Sequence, residues 1–180
     1  MNRQKSHTIE SQFVQQLRDG EIDWVISVPD GYLATLIKAI TPQSNIRHIQ
    51  VSREEEAFGV ASGLALANQR VCVMMQNVGW LNSLGAYSTL CERYGFAMLV
   101  ILSHRGNVFD QNSYDIAKYQ LSNAVLNAYP FLQHSWYALQ TETHLLRNLI
   151  NQAWTAQQPV ILKLDLPPTK PLMRNNNATT

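Results

Sequence analysis

IRHIQVSREEEAFGVASGLALANQRVCVMMQ, residues 46–76, reads as a strand, a helix and a second strand in one short stretch. Ile46 to Val51 has strand character, and VCVMMQ (Val71 to Gln76) is an apolar run bounded by polar residues. Between them a helix opens on three carboxylates, Glu54, Glu55 and Glu56, and is otherwise almost wholly apolar. Apolar strands joined through a helix are the repeating unit of a parallel sheet.

The same alternation extends in both directions. Ser11 to Arg18 has helical spacing, with Phe13, Val14 and Leu17 on one face; Trp24 to Pro29 is a β-type run. YLATLIKAI then reads as a helix stopped at Thr41-Pro42. Downstream come a Gly-containing turn, a helix through Leu84 to Cys91, and FAMLVILS (Phe96 to Ser103), the most apolar strand and therefore the central one. Asn107 to Tyr129 is polar and helix-like without clear borders. His134 to Leu139 reads as a strand, Thr143 to Ala156 as a helix and PVILKLDLP as a last strand. The expectation is an α/β fold: three layers, α/β/α, around a mainly parallel central sheet of about six strands. Residues 1–170 form one domain on this reading. Residues 171–180, in a Pro- and Asn-rich end, form a tail that is disordered or contacts a partner.

With 180 residues there is enough chain for one domain with a real core. Charged residues make up 15% of the chain, well below the roughly 25% of an average soluble domain, which suggests that another subunit covers part of the surface. A net charge of +1 with scattered bases gives no case for nucleic acid or an anionic membrane surface. No apolar run reaches membrane-spanning length, and no signal peptide is visible. Cys72 and Cys91 lie in apolar surroundings and read as buried, reduced thiols of a cytoplasmic protein. The five histidines lack metal-ligand spacing, so no metal is expected on this chain's own residues.

Structure alone accounts for part of the acidic run. Ser52 followed by Glu55 has the spacing of a capping box, and a first-turn carboxylate gains about 0.3–1 kcal/mol from the helix dipole. That leaves Glu54 unexplained. The helix behind it is rich in small residues, including Gly59 and Gly63. A helical glycine costs up to about 1 kcal/mol relative to alanine, so this pair implies close packing. The helix also begins where a strand ends, the place at which open α/β sheets bind ligands.

Glu54, Ala57, Ala61, Gly63 and Ala65 fit the pattern E-x-x-A-x-x-x-A-x-G-x-A. This resembles the pyrimidine-binding domain of thiamine diphosphate enzymes, whose catalytic glutamate stands nine residues before the helix glycine; counting back from Gly63 gives Glu54. The closer resemblance is to the α subunits of sulfopyruvate decarboxylase and the matching half of phosphonopyruvate decarboxylase. VPDGYLATLI (Val28 to Ile37), MQNVGWLNSL (Met75 to Leu84) and ILSHRG (Ile101 to Gly106) look like three further segments of that family.

The resemblance implies a catalytic role for Glu54, hydrogen-bonded to the aminopyrimidine so as to activate the thiazolium carbon. Asp30 either caps the helix beginning near Tyr32 or, by resemblance, handles protons near the substrate. Gln76, Asn77 and Gly79 fall at the presumed cofactor edge, with a purely structural turn as the other reading of Gln76 and Asn77. Trp80, His104 and Arg105 are candidates for contact with substrate, Arg105 because a guanidinium suits oxyanion groups. His104 also reads as a structural histidine, and Arg105 as half of a surface salt bridge.

Neither a GDG motif nor a P-loop occurs here. The resemblance therefore implies thiamine diphosphate shared with a separately encoded subunit that holds the diphosphate through Mg²⁺, most simply as α₂β₂. The reaction implied is decarboxylation of a small 2-oxo acid, with an acyloin-forming carboligase or a non-catalytic scaffold as alternatives. VGWLN in place of SGLGN, and the unmatched stretch after Gly106, are the departures that bear on substrate.

Overall fold

A computed structural model of the chain describes residues 8–40, 45–110, 112–136 and 144–165. The helix stop at Thr41-Pro42, the far end of the strand expected from His134, and the tail over 171–180 lie outside the described residues.

The elements in chain order are α1 (Ile9–Asp19), β1 (Trp24–Ser27), α2 (Ala34–Ile40), β2 (Arg47–Gln50), α3 (Glu54–Leu66) and β3 (Val71–Gln76). They continue with α4 (Asn77–Asn82), α5 (Leu84–Ala86) running on into a π-helical Tyr87–Glu92, and β4 (Leu99–His104). A 3₁₀ turn (Ser113–Asp115) leads into α6 (Ile116–Ala128), followed by β5 (Leu132–Trp136), α7 (Leu145–Ala156) and β6 (Val160–Asp165). The six strands form one sheet in the order β2-β1-β3-β4-β6-β5, and every pairing is parallel. The expected α/β/α sandwich is present, and β4 lies inside the sheet between β3 and β6.

Burial follows from that arrangement. A parallel strand covered on both faces has no side that faces water, and all six residues of β4 are buried. Alternate side chains feed two cores. Val25, Cys72, Leu99, Ile101 and Leu162 meet α1, α2 and α7 through Phe13, Leu17, Leu36, Leu146 and Leu149. Ile26, Val73, Met75, Val100 and Leu102 meet the other layer through Phe58, Ala61, Trp80, Tyr87 and Leu126.

Three local expectations change. The chain passes from β3 into α4 at Asn77 with no intervening Gly turn. The cap of α3 is also shifted by one residue. Arg53 is the N-cap, and Glu56 Oε2 accepts from the backbone N–H groups of Ser52 and Arg53, each at 3.1 Å. Glu55 is exposed, with Oε2 3.9 Å from Arg53 Nε. Gly59 and Gly63 do not pack closely within this chain either: a methyl group at either position would meet open space.

Glu56→Ala is expected to cost about 1 kcal/mol of unfolding free energy by loss of its two amide partners. Glu55→Ala is expected to stay within about 0.5 kcal/mol. Urea denaturation of the two variants checks the assignment.

Candidate functional site

The strand order reverses around β1, since the chain adds β2 on one side and then returns to add β3 on the other. In open parallel sheets such a reversal leaves a crevice at the carboxyl ends of the strands. Glu54 opens α3 just after β2, and α4 begins as β3 ends, so both helices start at this edge. There they meet. A Cβ placed on Gly79 would lie only 2.6 Å from Glu54 Cδ, and still closer to Oε1 and Cγ. The glutamate side chain thus rests on the backbone of α4 at a position where only a hydrogen fits. Glu54 is half-buried whereas Glu55 and Glu56 are exposed. Among the described residues, the Glu54 carboxylate has no hydrogen bond or ion pair. A half-buried carboxylate left unpaired is available to a ligand's polar atom.

Gln76, half-buried, ends β3, and Asn77 is fully buried behind it. Asn77 Nδ2 donates to the Arg105 carbonyl at 3.2 Å and to Ser122 Oγ at 3.1 Å, while Oδ1 accepts from the Arg105 amide at 3.4 Å. Asn77 therefore ties the end of β3 to the end of β4 and to α6. That leaves its amide as a strut beneath the edge.

His104 and Asp165 end neighbouring strands in direct register and are both buried. His104 Nδ1 lies 2.7 Å from Asp165 Oδ1, and Nε2 lies 3.3 Å from Ser122 Oγ. The ring also packs on Tyr119, 4.4 Å between centroids. At 1% exposure His104 is a buried structural partner and presents no surface to a substrate.

Arg105 is engaged as well. Nε donates to Asp110 Oδ2 at 2.7 Å and Nη2 to Asp110 Oδ1 at 3.0 Å, a side-on bidentate pair. Asp110 also accepts from the amides of Gly106 and Asn112. The Arg105 guanidinium, followed by those amides, holds the Asp110 carboxyl down at about 2. Tyr32 lies 5.8 Å from the guanidinium, and burial raises its phenol above the ordinary range against the opposing pull of Arg105. Asp30 takes up its capping geometry: Oδ1 accepts from the amides of Tyr32 (3.0 Å) and Leu33 (2.9 Å).

Trp80 departs furthest from expectation. It is completely buried in an aromatic cluster, edge-on to Phe131 at 5.4 Å and to Tyr87 at 6.4 Å. Because α4 starts directly at Asn77, Gly79 faces Glu54 while the next side chain turns into the core. The ring supports the site from beneath instead of lining a pocket.

Sequence reading passed over Asp110, Ser122 and Asp165. A carboxylate closing the apolar strand VILKLD was the visible signal for Asp165. Asp110 had none, because its role exists only once the loop has folded back on Arg105. The described residues contain no group of three or more His, Cys, Asp or Glu side chains placed to hold a metal ion. None of their helices is long and apolar enough to cross a membrane.

Fold and edge together define an open parallel α/β domain with a seated, unpaired glutamate at its strand-reversal crevice. Residues 7–125 match the thiamine pyrophosphate enzyme, N-terminal TPP binding domain family, and the chain belongs to that family. It is 31% identical over 147 residues to the sulfopyruvate decarboxylase subunit alpha of Methanococcus maripaludis, covering 82% of this chain and 88% of that one. The subunit of the same name from Methanocaldococcus jannaschii is 41% identical over 95 residues, 53% of this chain and 56% of that relative. The match to the latter thus spans little more than half of the relative's length.

Solved structures show the same fold at low identity. A 2-oxoglutarate:ferredoxin oxidoreductase from Magnetococcus marinus superposes with a TM-score of 0.67 at 14% identity, over 91% of this chain and 31% of that one. Benzoylformate decarboxylase from Polynucleobacter necessarius gives 0.62 at 17%, over 96% and 33%.

His104→Ala strands Asp165 in the core without its partner and is expected to cost about 3 kcal/mol, read as a lowered Tm. The Asp110 carboxyl is expected to stabilise the fold above the unfolded-state value of about 3.9, and that contribution is lost as pH falls through about 2. The gap in urea stability between the native chain and Asp110→Asn should therefore be present at neutral pH and close between these two values.

Proposed function

We propose that the chain is the pyrimidine-binding subunit of a thiamine diphosphate-dependent 2-oxo acid decarboxylase, of the kind its sulfopyruvate decarboxylase relatives are named for. The observation that carries this reading is Glu54: half-buried, unpaired and resting on Gly79 at the strand-reversal crevice. Its spacing to Gly63 and the family membership agree with the same assignment.

Bound there, the cofactor would supply the electron sink for cleavage of the carboxylate carbon bond. The protein's part is orientation and proton control. Glu54 would hold or give up a proton at its unpaired carboxyl, toward the pyrimidine end of the cofactor. Gly79 lets the carboxyl approach the α4 backbone, and Trp80 anchors that helix from the core. Gln76 would border the pyrimidine, and Asn77 fixes the strand ends beneath it. Asp30, with Oδ1 committed to two amides, retains Oδ2 for proton handling near the substrate.

The residues present fit the pyrimidine end of the cofactor and not its diphosphate. There is no GDG motif in the sequence and no metal-holding group among the described residues. The relatives' name, subunit alpha, supports a second, separately encoded subunit that holds the diphosphate and Mg²⁺, in an α₂β₂ or larger assembly in the cytoplasm. The open face of α3 supports such an assembly: Gly59, Gly63 and Leu66 are exposed on an otherwise apolar helix.

Co-expression with a GDG-containing partner, followed by thiamine diphosphate, Mg²⁺ and a panel of 2-oxo acids, tests the reading through release of CO₂ and aldehyde. Glu54→Gln is expected to lower turnover by about 10²-fold or more, and Glu55→Gln to leave it unchanged. Full turnover in Glu54→Gln overturns the assignment. Tight binding of thiamine diphosphate by the isolated chain overturns the shared site.

A further inference from the structure

Arg105 stands at the carboxyl end of β4, where the tail of a substrate would be read, yet its charge is already spent. Two of its five N–H groups go side-on to Asp110, and Nη2 also lies 3.7 Å from Asp115 Oδ2. Asp115 in turn accepts from Lys118 Nζ at 2.8 Å. Two cations and two carboxylates make a closed cluster of zero net charge. The carboxylates are its buried members: the side chains of Asp110 and Asp115 are 2% and 1% exposed, against 17% for Arg105.

The loop is built around this clamp. Asp110 accepts from the amides of Gly106 (2.9 Å) and Asn112 (3.0 Å) in addition to the guanidinium. Gly106 has φ +98, and a Cβ there would lie 2.5 Å from the Asp115 carbonyl carbon and 2.9 Å from Tyr119 Cβ. That glycine brings the two ends of the loop together, and releasing Arg105 breaks both side-on hydrogen bonds to a carboxylate that the loop's own amides hold in place. Asp30 and Asp165 both act on Tyr32 as negative charges, and Tyr32 stands 5.8 Å from the Arg105 guanidinium. A sulfonate, phosphonate or second carboxylate would meet a neutral cluster bordered by carboxylates.

We infer that Asp110 is a specificity-determining residue: it withdraws Arg105 from the substrate, so that the preferred 2-oxo acid carries an uncharged tail. This rests on the decarboxylase reading above, and one arm of its test is independent of that reading. Asp110 acts through Arg105 and is a positioning residue.

The first arm uses NMR of the isolated full-length chain, with the Arg105 Nε–H resonance assigned by its loss in Arg105→Lys. Adding methanesulfonate is expected to leave that resonance in place in the native chain and to move it, with saturation, in Asp110→Asn. The second arm uses the complex with its diphosphate-binding partner and compares kcat/KM for 2-oxobutanoate and sulfopyruvate. The native complex is expected to favour the neutral tail by about tenfold or more, and Asp110→Asn to shrink that ratio about tenfold, chiefly through the KM of the sulfonate. These magnitudes match one charge-assisted hydrogen bond gained or withheld.

Should Asp110→Asn fail to fold, Asp115→Asn keeps the bidentate pair, raises the cluster to net +1 and is expected to shift the ratio the same way by less. A native Arg105 resonance that moves with methanesulfonate overturns the clamp. So does a native complex that prefers sulfopyruvate and loses that preference in Asp110→Asn, because Asp110 would then be presenting the guanidinium. If the resonance behaves as expected but no 2-oxo acid is turned over, the clamp stands and the decarboxylase reading falls, and the inference about substrate falls with it.

Discussion

Six strands that all point the same way must all end on the same edge. Everything polar about this site follows from that constraint. The parallel sheet buries β3 and β4 almost completely, so hydrogen-bonding side chains concentrate where those strands stop: Gln76 ending β3 with Asn77 just after it, His104 ending β4 with Arg105 just after it, and Asp165 ending β6. The order reversal around β1 then separates the helix starts enough to leave a crevice, and α3 and α4 deliver Glu54 and Gly79 to it from β2 and β3, the strands on either side of β1.

Beneath the crevice lies a layer of ties: Asp165 to His104, His104 to Ser122, Ser122 to Asn77, and Asn77 to the backbone of Arg105. Buried polar groups are costly unless their partners are in place. This chain of contacts fixes the strand ends relative to α6 while satisfying nearly every member. Charge follows the same economy, because Arg105 and Lys118 are answered by Asp110 and Asp115 before any ligand arrives.

The sheet and its helices were legible because continuous apolar strands between periodic helices admit few arrangements. Glu54 could be singled out because its spacing to Gly63, the one the resemblance attaches to a family glutamate, is a distance along a single helix. What failed was information carried by folding. A helix start shifted by one residue moved the cap from Ser52 and Glu55 to Arg53 and Glu56. NVGWLN looked like a turn because of its glycine, yet it forms α4 and sends Trp80 into the core. His104 and Asp165 are 61 residues apart in the chain, and no local pattern announces such a pair.

Gly79 and Trp80 are neighbours in the chain with opposite duties, one touching the Glu54 side chain and the other locked among Phe131 and Tyr87. The Glu54 carboxyl is thus referenced mechanically to an aromatic core and not to the solvent-side loops around it. Its placement is only as sharp as that core is rigid. Any loosening of the aromatic packing would therefore blur the glutamate's position as well, because the same cluster holds Val73 and Val100 of the sheet.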